Sequence, residues 1–115
     1  PLFPADDQYG GPAADDLHLS GVILRLAEDG SALEDNPFYD HGEDLIEAGR
    51  ANEGRVLQRV YAYGVRNSFG MAIDPYSKSV WYQENGDDSF SELNRVVPGF
   101  NGGWIQVQGP ISRVA

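Results

Sequence analysis

The stretch Tyr61-Ala-Tyr-Gly-Val-Arg-Asn-Ser-Phe-Gly70, followed by Met71-Ala-Ile-Asp-Pro75, decides the fold. Val60-Tyr-Ala-Tyr63 is short, branched and aromatic, so it reads as a strand. Gly64 and Gly70 bracket a tight corner ahead of the next strand, Met71-Ala-Ile73. Asp74-Pro75-Tyr-Ser77 then supplies turn chemistry. Downstream, Val80-Trp-Tyr82, Leu93 to Val97 and Trp104 to Val107 repeat the strand pattern. Asn85-Gly86, Pro98-Gly99 and Gly102-Gly103 separate them. Short strands at close spacing with turn signals between them predict an all-β, antiparallel meander.

The chain reads differently upstream of this stretch. Pro1 to Leu17 is rich in Pro, Gly, Ala and Asp, so residues 1–20 form an irregular lead-in to a segment spanning 21–115. Gly21-Val-Ile-Leu-Arg-Leu26 reads as a strand, with a turn at Glu28-Asp-Gly-Ser31. Leu33 to Asp40 reads as loop. Gly42 to Ala48 suits one or two helical turns, stopped by Gly49.

Charge divides the chain in the same way. The 115 residues carry 18 Asp and Glu against 8 Lys and Arg, a net charge of −10. Residues 1–57 hold 13 acids and 3 bases, and residues 58–115 hold 5 of each, so the excess lies entirely in the first part. A solvated, irregular acidic surface explains this, and a cation- or partner-binding face is the sharper alternative. So acidic a chain is a poor ligand for nucleic acid, whose phosphates it repels. Thirteen aromatic residues (5 Phe, 6 Tyr, 2 Trp) supply enough apolar material for a folded core. The absence of cysteine removes disulfides and thiolate chemistry and leaves the redox compartment open. No apolar run is long enough for a membrane span, and no export-signal pattern stands at Pro1.

Three constellations could carry chemistry. Arg66 offers a planar fork of donors for carboxylates or other oxygens, and Asn67 offers both a donor and an acceptor. The plainer role for this pair is to satisfy loop carbonyls. Glu84-Asn-Gly-Asp-Asp88 gathers three carboxylates and several carbonyls that suit a hard cation such as Ca²⁺. It is not an EF-hand, because position 6 counted from Asp87 is Glu92 where that loop needs Gly. A generic acidic turn would look the same. Finally, Glu92 and Asn94 share one strand face, and Gly102-Gly103 permits a sharp turn before Trp104. Trp104 itself reads first as a packing residue. His18 and His41 match no zinc spacing, and no nucleophile elbow, GxGxxG or Walker loop occurs.

In order and spacing, these motifs resemble one family. Tyr61 to Gly70, Asp74-Pro75, Trp81, Glu84-Asn-Gly86, Glu92-Leu-Asn94 and Pro98-Gly-Phe-Asn-Gly-Gly-Trp104 resemble the glucose/sorbosone dehydrogenases. Gly21 to Leu26, Asp29-Gly-Ser31 and Asp35-Asn-Pro-Phe38 extend the resemblance upstream. It implies a six-bladed β-propeller using pyrroloquinoline quinone (PQQ) and Ca²⁺ to oxidise aldose sugars or related alcohols. It also implies a periplasmic or secreted protein whose electron acceptor the sequence does not identify. By that resemblance Arg66 and Asn67 contact the quinone, and Gly86 and Asp87 lend carbonyls to the metal. Asp87 stands where the family has Pro, Ser91 where an acid is frequent, and Gly102 where Tyr is frequent. The family's catalytic histidine lies in a segment with no match here, so no catalytic residue is assigned. A blade takes about 40–50 residues, so the resemblance reads this chain as an internal piece of roughly two blades. A non-catalytic binding propeller and a Ca²⁺-dependent lactonase-type propeller are the alternatives.

Overall fold

The computed structural model describes residues 19–86 and 89–104. Its elements run β1 (Val22–Leu24), α1 (Tyr39–Glu47), α2 (Ala51–Arg59), β2 (Val60–Tyr63), β3 (Ser68–Ile73), β4 (Val80–Glu84), β5 (Glu92–Val96) and β6 (Phe100–Asn101). They form two three-stranded sheets, β1-β2-β6 and β3-β4-β5.

The second sheet is the meander read from the sequence, with both pairings antiparallel. Its first turn is held by Asp74. That carboxylate accepts the N–H of Tyr76 at 3.0 Å and the N–H and hydroxyl of Ser77, which hold it below the usual carboxylate range. In the first sheet β1 pairs antiparallel with β2, but β6 pairs with β2 in parallel, Ala62 opposite Phe100 and Tyr63 opposite Asn101. That parallel contact departs from a pure antiparallel meander. It arises because the chain crosses back after β5, and Gly99 donates its N–H to the Tyr61 carbonyl at 2.8 Å. Trp104 lies in a turn, and residues 105–107 of the strand expected there fall outside the described residues.

The expectation of an all-β chain with an irregular first half is corrected by the two helices. α1 extends the short helical segment expected at Gly42 to Ala48, starts at Tyr39 inside the expected loop, and ends ahead of Gly49 as read. α2 was not expected. Its sequence, Ala-Asn-Glu-Gly-Arg-Val-Leu-Gln-Arg, has a central Gly, few apolar residues and no capping side chain, so it carries few helix signals. Tertiary contact supplies what the pattern lacks. Gly54 meets the Gly42 carbonyl and Ile46, and a side chain at either glycine would collide with the other helix. Glu53, in the first turn of α2, is held below its ordinary range by hydrogen bonding to Arg50.

β2 joins the two parts of the core. Val60, Leu57 and Phe38 are buried together with Leu45, Val22 and Tyr63 against them. Ala62, Val65, Tyr82 and Val96 form the second cluster, with Ile23, Tyr61, Val80 and Phe100 packed on it. Tyr82 meets Phe100 edge-on, centroids 6.3 Å apart, and Phe38 meets Tyr63 the same way at 6.0 Å. The helix pair is tied to the sheet by buried Asn36. Its amide donates to the carbonyls of Arg25 and Gln58, both at 2.9 Å, and its oxygen accepts Arg25 Nη1 at 3.0 Å. Arg25 also grips Asp35 with two bonds, which lower the Asp35 carboxyl.

Candidate functional site

Three strand ends converge on one corner. β2 runs into Gly64-Val-Arg66-Asn67, β4 into Asn85-Gly86, and β6 into Gly102-Gly-Trp104. The corner needs residues without side chains. Gly64 has a φ of +72°, and a Cβ there would collide with Asn101 Oδ1. A Cβ on Gly102 would fall 2.5 Å from the Gly64 carbonyl and 2.7 Å from Tyr82 Oη. This close approach lets Gly102 donate to the Tyr63 carbonyl at 2.9 Å and Trp104 to the Gly64 carbonyl at 3.1 Å.

Arg66 is half-buried in this corner. Its Nη1 donates to the Asn85 carbonyl at 3.0 Å, and its Cζ lies 5.2 Å from the centre of the Trp104 ring. Asn67 is exposed, and its carbonyl accepts the Asn85 N–H at 2.9 Å. The sequence-derived residues Arg66, Asn67 and Gly86 thus come together at adjoining strand ends. Asp87 and His18 lie outside the described residues, and His41 sits on α1, which packs against α2.

Glu84 is placed differently from its reading as part of an acidic turn. It ends β4, is 4% exposed, and faces Glu92 across the ladder. Tyr82 faces Asn94 one step along, so Tyr82, Glu84, Glu92 and Asn94 form a square on one sheet face. Glu92 Oε2 accepts the Asn94 amide at 3.1 Å, as their shared face anticipated. Glu84 Oε2 and Tyr82 Oη are buried without a well-formed hydrogen bond, although each lies in the other's electrostatic field. Burial raises the Glu84 carboxyl, and nearby Glu92 adds to this, while the Arg66 N–H and the Tyr82 hydroxyl offset part of it. Burial, with Glu84 beside it, pushes the Tyr82 phenol up as well. Alternation along β4 puts Tyr82 and Glu84 on one face, but only the strand register shows that this face is buried against Glu92.

The match to known proteins follows the same segments. The family model described as Glucose / Sorbosone dehydrogenase matches residues 5–111. The chain belongs to the glucose/sorbosone dehydrogenase family. Within it, the chain is 36% identical over 94 residues to the aldose sugar dehydrogenase YliI of Escherichia coli, covering 81% of this chain and 22% of that protein. It is 35% identical over 89 residues to quinoprotein glucose dehydrogenase B of Acinetobacter calcoaceticus, covering 77% and 16%. The PQQ-bound aldose sugar dehydrogenase of Streptomyces coelicolor superposes with a TM-score of 0.62 at 34% identity, over 83% of this chain and 23% of that one. The glucose/sorbosone dehydrogenase segment described here thus spans about a fifth of the length of the curated relatives it matches. Among the described residues no helix is long and apolar enough to cross a membrane.

Proposed function

We propose that this chain supplies part of the cofactor face of a PQQ-dependent dehydrogenase that oxidises aldose sugars or related alcohols. One observation carries the reading. Arg66 stands half-buried beside Asn67 where three strand ends meet, with its guanidinium anchored to the Asn85 carbonyl. PQQ is a planar tricarboxylate, and a guanidinium fork complements carboxylate and quinone oxygens. When bound, the quinone supplies the two-electron acceptor for oxidation of a sugar hydroxyl. Arg66 would bind and orient it, and its fixed positive charge would stabilise negative charge on oxygen. Asn67, with a donor and an acceptor on one amide, would add directional contacts.

Gly86 supports a calcium site of the kind the family resemblance implies. The backbone there turns back so closely on Ser89 that a Cβ would collide with its carbonyl. Such a turn offers main-chain carbonyls, the hard oxygen donors that Ca²⁺ takes. The carbonyls of Gly86 and Asp87 would be the ligands from this chain. A sugar substrate and a periplasmic or secreted location belong to the same reading, and no residue of this chain is proposed as the catalytic base.

The test is titration of the cofactor-free protein with PQQ and Ca²⁺, followed by absorbance, in wild type and Arg66→Ala. Loss of one charge-assisted bidentate contact predicts about 10-fold or greater weakening. Unchanged PQQ affinity in Arg66→Ala would overturn the proposal.

A further inference from the structure

Trp104 reads in the sequence as a packing residue, but its ring lies against a cation. Arg66 Cζ is 5.2 Å from the ring centre, and both residues are half-buried, so the attraction is screened less than on an open surface. The indole is placed by backbone as well as by packing. Trp104 donates its N–H to the carbonyl of Gly64, and Gly102 donates to Tyr63. Gly103 donates to Asn101 Oδ1 at 2.8 Å, which fixes the turn between them. Gly64 lies two residues before Arg66, so the backbones of Trp104 and Arg66 are tied to one short stretch of chain.

We infer that Trp104 is a positioning residue for Arg66, holding the guanidinium over the indole ring so that it is placed for an anionic ligand. The inference rests on the cofactor reading of Arg66 given above. A cation held over an aromatic ring is restrained without consuming an N–H donor. The Asn85 carbonyl restrains one edge, at Nη1. The indole adds a contact at the cationic centre of a long side chain that has many rotamers. The two contacts together restrict where the guanidinium lies. The two restraints come from different strand ends, β4 and β6, so the orientation of Arg66 reports the assembly of the whole corner.

The experiment is a double-mutant cycle for PQQ affinity in the protein with Ca²⁺ present. It uses Trp104→Leu, Arg66→Ala and the pair, with Trp104→Phe as the conservative variant. NMR of the Arg66 Nε–Hε group in the cofactor-free protein gives a readout that does not depend on PQQ. The expected result is that Trp104→Leu weakens PQQ about 3- to 10-fold when Arg66 is present and has no effect in the Arg66→Ala background. Trp104→Phe should stay within about 3-fold of wild type, because it keeps an aromatic face. The Arg66 Hε resonance should carry a ring-current shift that Trp104→Leu abolishes. Equal weakening by Trp104→Leu with and without Arg66 would overturn the inference, since Trp104 would then act independently. If Trp104→Leu does not fold, loss of the ring-current shift in Trp104→Phe with unchanged PQQ affinity would also overturn it. If Arg66→Ala binds PQQ like wild type while the ring-current shift persists, the cofactor reading fails and the pair is a scaffold contact.

Discussion

Glu84 and Glu92 stand directly opposite each other across the β4–β5 ladder, with Glu84 almost completely buried. Like charges directly opposite are unfavourable, and here neither Glu84 Oε2 nor the neighbouring Tyr82 Oη has a well-formed hydrogen bond. The corner that carries Arg66 therefore sits beside a sheet face that holds an electrostatic cost.

That cost has a pH signature. The Glu84 carboxyl is raised in the folded state, chiefly by burial, so its ionised form opposes folding. The penalty is fully present above the folded pKa and fades as pH falls toward the ordinary glutamate range. Glu84→Gln should therefore raise Tm at pH 7.5 by about 3 °C or more, with the gain shrinking as pH is lowered to 5. Exposed carboxylates such as Asp29, Asp35 and Asp74 are lowered, so their stabilisation is lost on acidification. They are common to both proteins and cancel in the difference. Thermal melts of the two proteins across this range provide the check. A Tm difference independent of pH would contradict the assignment.

In this chain the backbone and Tyr82 leave little room for a side chain at Gly102. Alanine there meets the Gly64 carbonyl and Tyr82 Oη, so Gly102→Ala is expected to cost about 1–3 kcal/mol in urea unfolding. Adding Tyr82→Phe removes one of the two collisions along with a buried, unpartnered hydroxyl. The double variant should recover part of the loss, leaving the share due to the Gly64 carbonyl. Strict additivity of the two changes would show that Tyr82 and Gly102 do not share this space.

Asn36 should be worth more than its surface-loop neighbours. Asn36→Ala leaves the carbonyls of Arg25 and Gln58 without their donor, at an expected cost of about 1–3 kcal/mol. Hydrogen exchange should speed up most in α2, because Asn36 ties the end of that helix to β1. Uniform acceleration across β3, β4 and β5 would instead indicate global destabilisation.

The meander of β3, β4 and β5 was legible because local chemistry agrees with it. Branched and aromatic runs are punctuated by Asp74-Pro75 and Asn85-Gly86, and the Asp74 turn closes on its own residues. α2 was not legible, since a helix with Gly54 at its centre depends on Gly42 of another helix. Arg66, Asn67 and Gly86 could be nominated from residue type and order. The burial of Glu84 could not, because a carboxylate at a strand end next to Asn-Gly reads as part of an exposed turn.

What the amino-acid order determines alone is therefore the strand-and-turn rhythm after Val60, the acidic excess before Gln58, and the motifs that mark the family. Periodicity, turn chemistry and charge act over a few residues, so they can be read along the chain. Only the tertiary structure decides that Trp104 lies over Arg66 and that Glu84 faces Glu92 away from water. Those placements depend on the parallel pairing of β6 with β2 and on the register of β5 against β4. The first is favoured by how closely Gly64 and Gly102 let two backbones approach, and the second sets Tyr82 and Glu84 opposite Asn94 and Glu92.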